Sequence, residues 1–276
     1  MSEAKRGAPE LNSLVYRTDL MLLSYDSEIT DREDHWLVVS PHNPTYYWGN
    51  FLLFKNAPRV GDAARWQALF AEEIGTPPDV VHQVFGWDTP GAELGDVEPF
   101  LARGFRLDRV EALAASEAHS PRHYNHDVNV RPLSTYPEWE QARENQMLVR
   151  SPEHEAQAHR TFLQAQLERR RAMAQAGWGA WYGAFLGDEL VADLGIFGHG
   201  ELGRYQSVQT DPAFRRRGIA GTLVYEAARH AQQLWGFKQL VIVADRDSSA
   251  GRLYQSLGFS LADRAAGLER WPGIAS

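Results

Sequence analysis

Apolar positions follow two different rhythms along this chain. Up to Ala114 they come in short runs, Leu20–Leu23, Trp36–Val39 and Phe51–Phe54, separated by polar stretches such as Ser27–Asp34 and Pro41–Pro44. Short runs set between turn signals predict antiparallel strands. A helix is expected over Ala63–Glu73, stopped by Gly75, Pro77 and Pro78. Val80–Trp87 reads as another strand, Phe100–Arg103 as the end of a short helix halted by Gly104, and Phe105–Ala114 as a further strand. The first dozen residues read as a frayed tail.

Ala115–Asp127 is a polar join containing Pro121, His119, His123 and His126. The histidine spacing allows a metal, but no neighbouring element would fix their geometry, so a solvated linker is the expectation.

The second rhythm begins near Val128. Asn129–Leu133 is strand-like and Pro137–Val149 helical. Ser151-Pro152-Glu153-His154-Glu155 starts a helix running to about Ala176, with proline at its first position and acids in its first turn. Three strands follow, Ala180–Leu186, Glu189–Phe197 and Gly203–Thr210, joined by Gly187-Asp188 and by Gly198-His199-Gly200 into an antiparallel meander. Gly218–Trp235 is helical, with Ile219, Leu223, Ala227, Ala231 and Leu234 on one stripe. Leu240–Ala244 is a buried strand, Ser248–Leu257 a helix, and Phe259 opens a last strand.

Composition narrows the class. The 276 residues suit one large domain or two ordinary ones, and 43% hydrophobic with 23% charged residues is globular composition. A net charge of -8 without a basic tail weighs against nucleic-acid and anionic-membrane surfaces. With no cysteine, disulfides, thiolate metal sites and cysteine nucleophiles are excluded. No signal core and no run of about 18 apolar residues is present, so a cytoplasmic protein off the membrane is expected.

The candidate chemistry lies in Thr210-Asp211-Pro212-Ala213-Phe214-Arg215-Arg216-Arg217-Gly218-Ile219-Ala220, which links a strand to a helix. Free amides at a helix start, with small residues and three arginines on the approach, suit an anion such as a pyrophosphate. A glycine-eased turn with a solvated arginine run is the competing reading. A second segment, Asp247 to Phe259, is a short helix capped by Asp247 or Ser248 and ended by Gly258 in the left-handed conformation. Its Ala250, Leu253, Tyr254 and Leu257 share a face, which turns Tyr254 inward, as a site residue or as a core tyrosine.

Together, Val208-x-Thr210-x-Pro212, Arg215-x-x-Gly218-x-Ala220 and Ala250-x-x-Leu253-Tyr254-x-x-x-Gly258-Phe259 resemble the GNAT superfamily of N-acetyltransferases, over roughly Val128 to the end. The resemblance implies an α/β (α+β) fold, a mixed and mostly antiparallel sheet flanked by helices. It implies acetyl-CoA in a V-shaped gap between the strands ending at Thr210 and Ala244, with no metal. Val208, Gln209 and Thr210 would hold the pantetheine arm. Arg215, Arg216, Arg217, Gly218, Ile219, Ala220, Gly221 and Thr222 would hold the pyrophosphate, with Asp247, Ser249 and Tyr254 also at the cofactor. Asp247 stands where the family often has asparagine, which keeps a cap but loses amide donors. The implied reaction is acetyl transfer to a primary amine of a small molecule or peptide, with Tyr254 protonating the leaving thiolate. A CoA-binding regulatory or scaffold protein without turnover is the alternative; a monomer or homodimer is expected. Asp193, alone in an apolar strand, is the candidate base. It is expected beside Gln206 or Arg204, where a structural ion pair is the other reading. Glu201 is a further candidate.

The N-terminal part reads as a degenerate copy. Gly104-Phe105 and Gly258-Phe259, Pro58 and Pro212, and Asn50–Phe54 and Arg204–Val208 all stand 154 residues apart. At that offset Phe100 faces Tyr254, Gly61 faces Arg215 and Ala64 faces Gly218, so the copy lacks acid and phosphate loop. It also lacks room for two early helices. Two related halves are expected, 1–115 without a cofactor site and 128–276 as the acetyltransferase domain; two unrelated units meeting at similar motifs is the other reading. Tyr46-Tyr47-Trp48 would line a cleft or simply fill the core.

Overall fold

The computed structural model describes residues 10–272 except residue 247. The elements begin with α1 (Leu14–Leu23), β1 (Glu28–Asp31), β2 (His35–Val39), β3 (Phe51–Phe54), α2 (Asp62–Glu73), β4 (Gln83–Trp87), α3 (Glu98–Leu101) and β5 (Arg106–Ala115). They continue with β6 (Asn129–Pro132), α4 (Tyr136–Leu148), α5 (Ala156–Gln175), β7 (Gly179–Leu186), β8 (Glu189–His199) and β9 (Leu202–Thr210). The last are α6 (Ile219–Trp235), β10 (Gln239–Asp245), α7 (Ser249–Ser256) and β11 (Ser260–Arg270).

The chain divides into two compact units, Leu113–Ala262 and a unit made of the residues up to Ala112 with those from Asp263 onward. The bounds differ from the expected 1–115 and 128–276 at the join, whose residues belong to the second unit, and at the end of the chain. The end of the chain, assigned by sequence to the C-terminal half, packs in the first unit, where Gly267 to Arg270 pair antiparallel with Gly86 to Gln83 of β4.

In the second unit the strand order is β10-β9-β8-β7-β6. All neighbours are antiparallel except β9 and β10, which run parallel. The β7–β8 turn is Gly187-Asp188, as expected. The next turn is Gly200-Glu201, later than expected, with Gly200 at φ +59. Gly198 sits in the ladder opposite Gly203, where a Cβ would come within 2.0 Å of the Leu202 carbonyl. The stripe of α6 is buried from Ile219 through Leu223, Ala227 and Ala231 against Leu194, Ile196 and Leu240. Leu234, expected on that stripe, is exposed, and Phe237 takes over the packing. Helix α5 starts later than Pro152 suggested, because the Glu155 carboxylate accepts from the amides of Gln157 and Ala158 and caps it there.

The first unit has the order β1-β2-β3-β4-β11-β5. Leu20–Leu23, expected as a strand, belongs to α1. That helix is started by the Ser13 hydroxyl accepting from the Tyr16 amide, and only Arg17 and Asp19 of its ten residues escape full burial. A helix buried nearly all round shows no 3.6-residue stripe to read. Strand β1 lies in the polar stretch Ser27–Asp34, pairs among the described residues only with β2 and carries no apolar run. The core is aromatic: Phe54, Trp66, Phe70, Phe85, Phe100 and Phe105.

The same series occurs twice along the chain, and the second ends in β11, most of which lies in the first unit. Three antiparallel strands lead to a helix, then to a strand parallel to the third, a short helix and a long strand. The series is β1-β2-β3-α2-β4-α3-β5 in one and β7-β8-β9-α6-β10-α7-β11 in the other.

Candidate active site

Strands β9 and β10 stay together for three residue pairs only, Leu202 to Arg204 against Gln239 to Val241. Beyond Val241 they diverge, leaving a cavity of about 230 Å³. Its walls are Tyr205, Ser207 and Val208 from β9, Ile242 to Asp245 from β10, and Ser248, Ala250 and Tyr254. One wall is shaped by a β-bulge. Asp193 pairs with Gln209 and Gly195 with Gln206, so Ser207 and Val208 stand opposite the single residue Leu194. Ser207 takes φ +46 there.

Strand β9 leads through a 3-10 turn, Pro212–Phe214, into α6, whose N-cap Gly218 has φ +77. The first intrahelical bond runs from the Thr222 amide to the Gly218 carbonyl at 3.1 Å. The amides of Ile219, Ala220 and Gly221 therefore have no intrahelical acceptor. No acidic residue lies in this first turn, so the positive end of the helix dipole is uncompensated.

Residues 182–266 match the model of the FR47-like protein family. No curated protein matches the chain. A functionally unknown conserved protein from Staphylococcus epidermidis ATCC 12228 is similar in structure, with a TM-score of 0.70 at 14% identity over 90% of this chain and 95% of that one. A GCN5-related N-acetyltransferase from Kribbella flavida gives 0.63 at 14% identity over 94% and 95%. A tandem GNAT protein from the clavulanic acid biosynthesis pathway gives 0.55 at 12% identity over 99% and 91%. The chain has the GNAT N-acetyltransferase fold.

Val208 and Tyr254 line the gap. Gln209 and Thr210 do not; they pair with Asp193 and Ala192 in the β8 ladder. Arg215, Arg216 and Arg217 are exposed, with the Arg217 guanidinium 5.1 Å from the Phe214 ring and Arg215 Nε donating to the Thr210 carbonyl. Gly218, Ile219, Ala220 and Gly221 form the helix start, whereas Thr222 is fully buried with its amide already bonded. Ser248 caps α7 by accepting from the Gly251 amide and lines the gap; Ser249 is exposed and does not. Asp247 lies outside the described residues.

Tyr254 is 5% exposed, and burial pushes its hydroxyl up to about 12, so it stays protonated at neutral pH. Among the described residues nothing hydrogen-bonds that hydroxyl, although it belongs to a lined cavity. A core tyrosine normally finds a partner.

Two features were not legible in the sequence. The join Ala115–Asp127 is pinned rather than merely solvated. The Asn125 amide donates to Thr222 Oγ1 at 2.8 Å and Asn125 Nδ2 to the Arg217 carbonyl at 2.8 Å. The His123 carbonyl lies 2.1 Å from where a Gly218 Cβ would stand, and the His119 ring covers Gly258. Gly218 is thus required by the packing of this join as well as by the turn. His126 lies against Tyr124, with ring centroids 4.7 Å apart. Among the described residues no group of three or more histidines and carboxylates is arranged to hold a metal.

Asp193 has a different neighbourhood from the expected one. The bulge and the later turn take it away from Gln206 and Arg204, and Gln206 accepts instead from Arg170. Asp193 is fully buried and accepts from three neutral donors, Asn145 Nδ2 at 2.6 Å, Gln146 Nε2 at 3.1 Å and Trp181 Nε1 at 2.7 Å. Burial raises its carboxyl to about 7, against the lowering by these donors. It is not among the residues lining the gap. Glu201 is exposed and ion-paired with Lys238.

Proposed function

We propose that this chain is an N-acetyltransferase that moves an acetyl group from acetyl-CoA to a primary amine of a small molecule or peptide. The observation that carries the reading is the parting of β9 from β10, with an unpartnered, protonated tyrosine hydroxyl on its wall and an uncompensated helix start at the end of β9. The gap suits the pantetheine arm of acetyl-CoA, with Val208 beside it. The free amides of Ile219, Ala220 and Gly221, with Arg215, Arg216 and Arg217, suit its pyrophosphate. Gln209 and Ser249 are assigned to the rim, beyond the lining. The amine nitrogen attacks the thioester carbon, the carbon–sulfur bond breaks, and the Tyr254 hydroxyl gives its proton to the departing thiolate. The amine nitrogen gives one proton to solvent, and Tyr254 takes one back from solvent, which balances the step.

We assign one cofactor site per chain, in the second unit, and no cofactor site to the residues up to 115. Titration calorimetry with acetyl-CoA tests this, with about one site per chain expected. A panel of amines, aminoglycosides, amino acids and peptides, followed by CoA release, then identifies the acceptor. Absence of acetyl-CoA binding refutes the proposal. Binding without release across the panel would favour a CoA-binding protein without turnover.

A further inference from the structure

The carboxylate of Asp193 is buried completely, away from the gap lining, yet three side chains from α4 and β7 converge on it. One of them has a second task. Gln146 Nε2 also donates to the carbonyl of Ser207 at 3.1 Å, the bulge residue with φ +46. Gln146 thus joins the carboxylate to the one irregular point of β9.

A trans peptide is planar, and its C=O and N–H point in opposite directions. Once the Ser207 carbonyl is turned toward Gln146 on α4, the amide of the same peptide, that of Val208, must point away from α4. Val208 is a wall of the gap. We propose that Asp193 and Gln146 are positioning residues that aim the Val208 amide at the thioester carbonyl of bound acetyl-CoA. This inference rests on the acetyltransferase reading. Asp193 holds the Gln146 amide group in place; Gln146 holds the Ser207–Val208 peptide; the Val208 amide then donates to the oxygen that becomes the oxyanion when the amine attacks. A donor fixed before the reaction needs no reorganisation when that charge develops. Asp193 thereby has a role that needs no contact with the acceptor amine.

The test uses the full chain and compares acetyl-CoA with CoA, which lacks the carbonyl. Gln146→Met keeps the side-chain length and removes both donors. Wild type should lower the carbonyl stretching frequency of carbonyl-labelled acetyl-CoA on binding, by infrared difference spectroscopy. In Gln146→Met most of that shift should vanish, and acetyl-CoA affinity should fall about fivefold relative to CoA, as for one lost hydrogen bond. Asn145→Leu is the control, since Asn145 touches Asp193 but is not bonded to Ser207. It should leave the carbonyl band at the wild-type position. If Gln146→Met does not fold, Gln146→Asn, one methylene shorter, draws the donor back from the Ser207 carbonyl and should give the same loss. A wild-type band in the folded Gln146 variant, or an equal change in Asn145→Leu, overturns the positioning role alone. Failure of wild type to bind either CoA or acetyl-CoA overturns the acetyltransferase reading together with it.

Discussion

The third and fourth strands of the repeated series behave differently in the two units, and the difference separates a scaffold from a candidate site. In the first unit β3 and β4 stay paired to their ends, Phe54 against Trp87, and one further bond runs from the Asp88 amide to the Phe54 carbonyl. Phe54 stacks on Trp66 with ring centroids 3.7 Å apart, and Trp66 packs on Phe85 and Phe100. In the second unit β9 and β10 separate after three pairs, and the bulge at Ser207 and Val208 leaves a wall that no strand covers. The helix starts differ in the same sense. Both α2 and α6 are entered through a left-handed glycine, Gly61 and Gly218. At α2, however, Asp62 already occupies the first turn, accepting from the Arg59 amide and pairing with Arg65. A carboxylate there satisfies the positive end of the helix and repels another anion. Phe100, in the place of Tyr254, is fully buried and has no proton to give.

If closed pairing and Asp62 make the first unit silent, opening its core should cost stability without creating a second site. Trp66→Ala should lower the unfolding free energy by about 3–5 kcal/mol, as for a buried aromatic truncated to alanine. Denaturant titration measures that loss, and calorimetry should still find one acetyl-CoA per chain. A second site in this variant would break the comparison.

Tyr254→Phe should reduce turnover by about 10²-fold or more and leave acetyl-CoA affinity nearly unchanged, once an acceptor is in hand. Unchanged turnover would make Tyr254 the equivalent of Phe100, a packing residue. A smaller effect concerns Asp193. Its carboxyl sits at about 7 in the fold against the usual 3.8, so between those pH values the folded chain holds the proton that the unfolded chain has lost. Its contribution to stability is therefore most favourable below about 4 and declines as pH rises through 7. Melting curves of wild type and Asp193→Asn across that window should diverge with that sign, and parallel curves would contradict it.

The smallest expected effects fall on the approach to α6. Asn125→Ala removes the side-chain bond to the Arg217 carbonyl, together with those its Oδ1 accepts from the Asp127 and Val128 amides, and should weaken CoA about threefold to tenfold by calorimetry. Single glutamine substitutions at Arg215, Arg216 or Arg217 should each cost less than about fivefold, and less again in high salt, because all three are solvent-exposed.

Local signals carried much of this architecture. The meander β7–β8–β9, the stripe of α6 and the capped helix α7 each depend on residues close together in the chain, and a caps-and-period reading placed them within a few residues. Gly258 takes the left-handed conformation it was assigned, at φ +92. The offset of 154 residues matched Phe100 to Tyr254, but it set Gly218 against Ala64. The helix-entry glycines are Gly61 and Gly218, because the loop and strand lengths before them differ between units. Tertiary structure decided the rest. Helix α1 is buried nearly all round, so its apolar run shows no helical stripe and reads as a strand. The partners of Asp193 come from Asn145 and Gln146, nearly fifty residues earlier, and from a bulge that no local pattern announces. The parting of β9 from β10 is likewise a property of two strands and the helices packed on them. Periodicity reports how one segment meets the core; it carries no record of where a second segment stops following it.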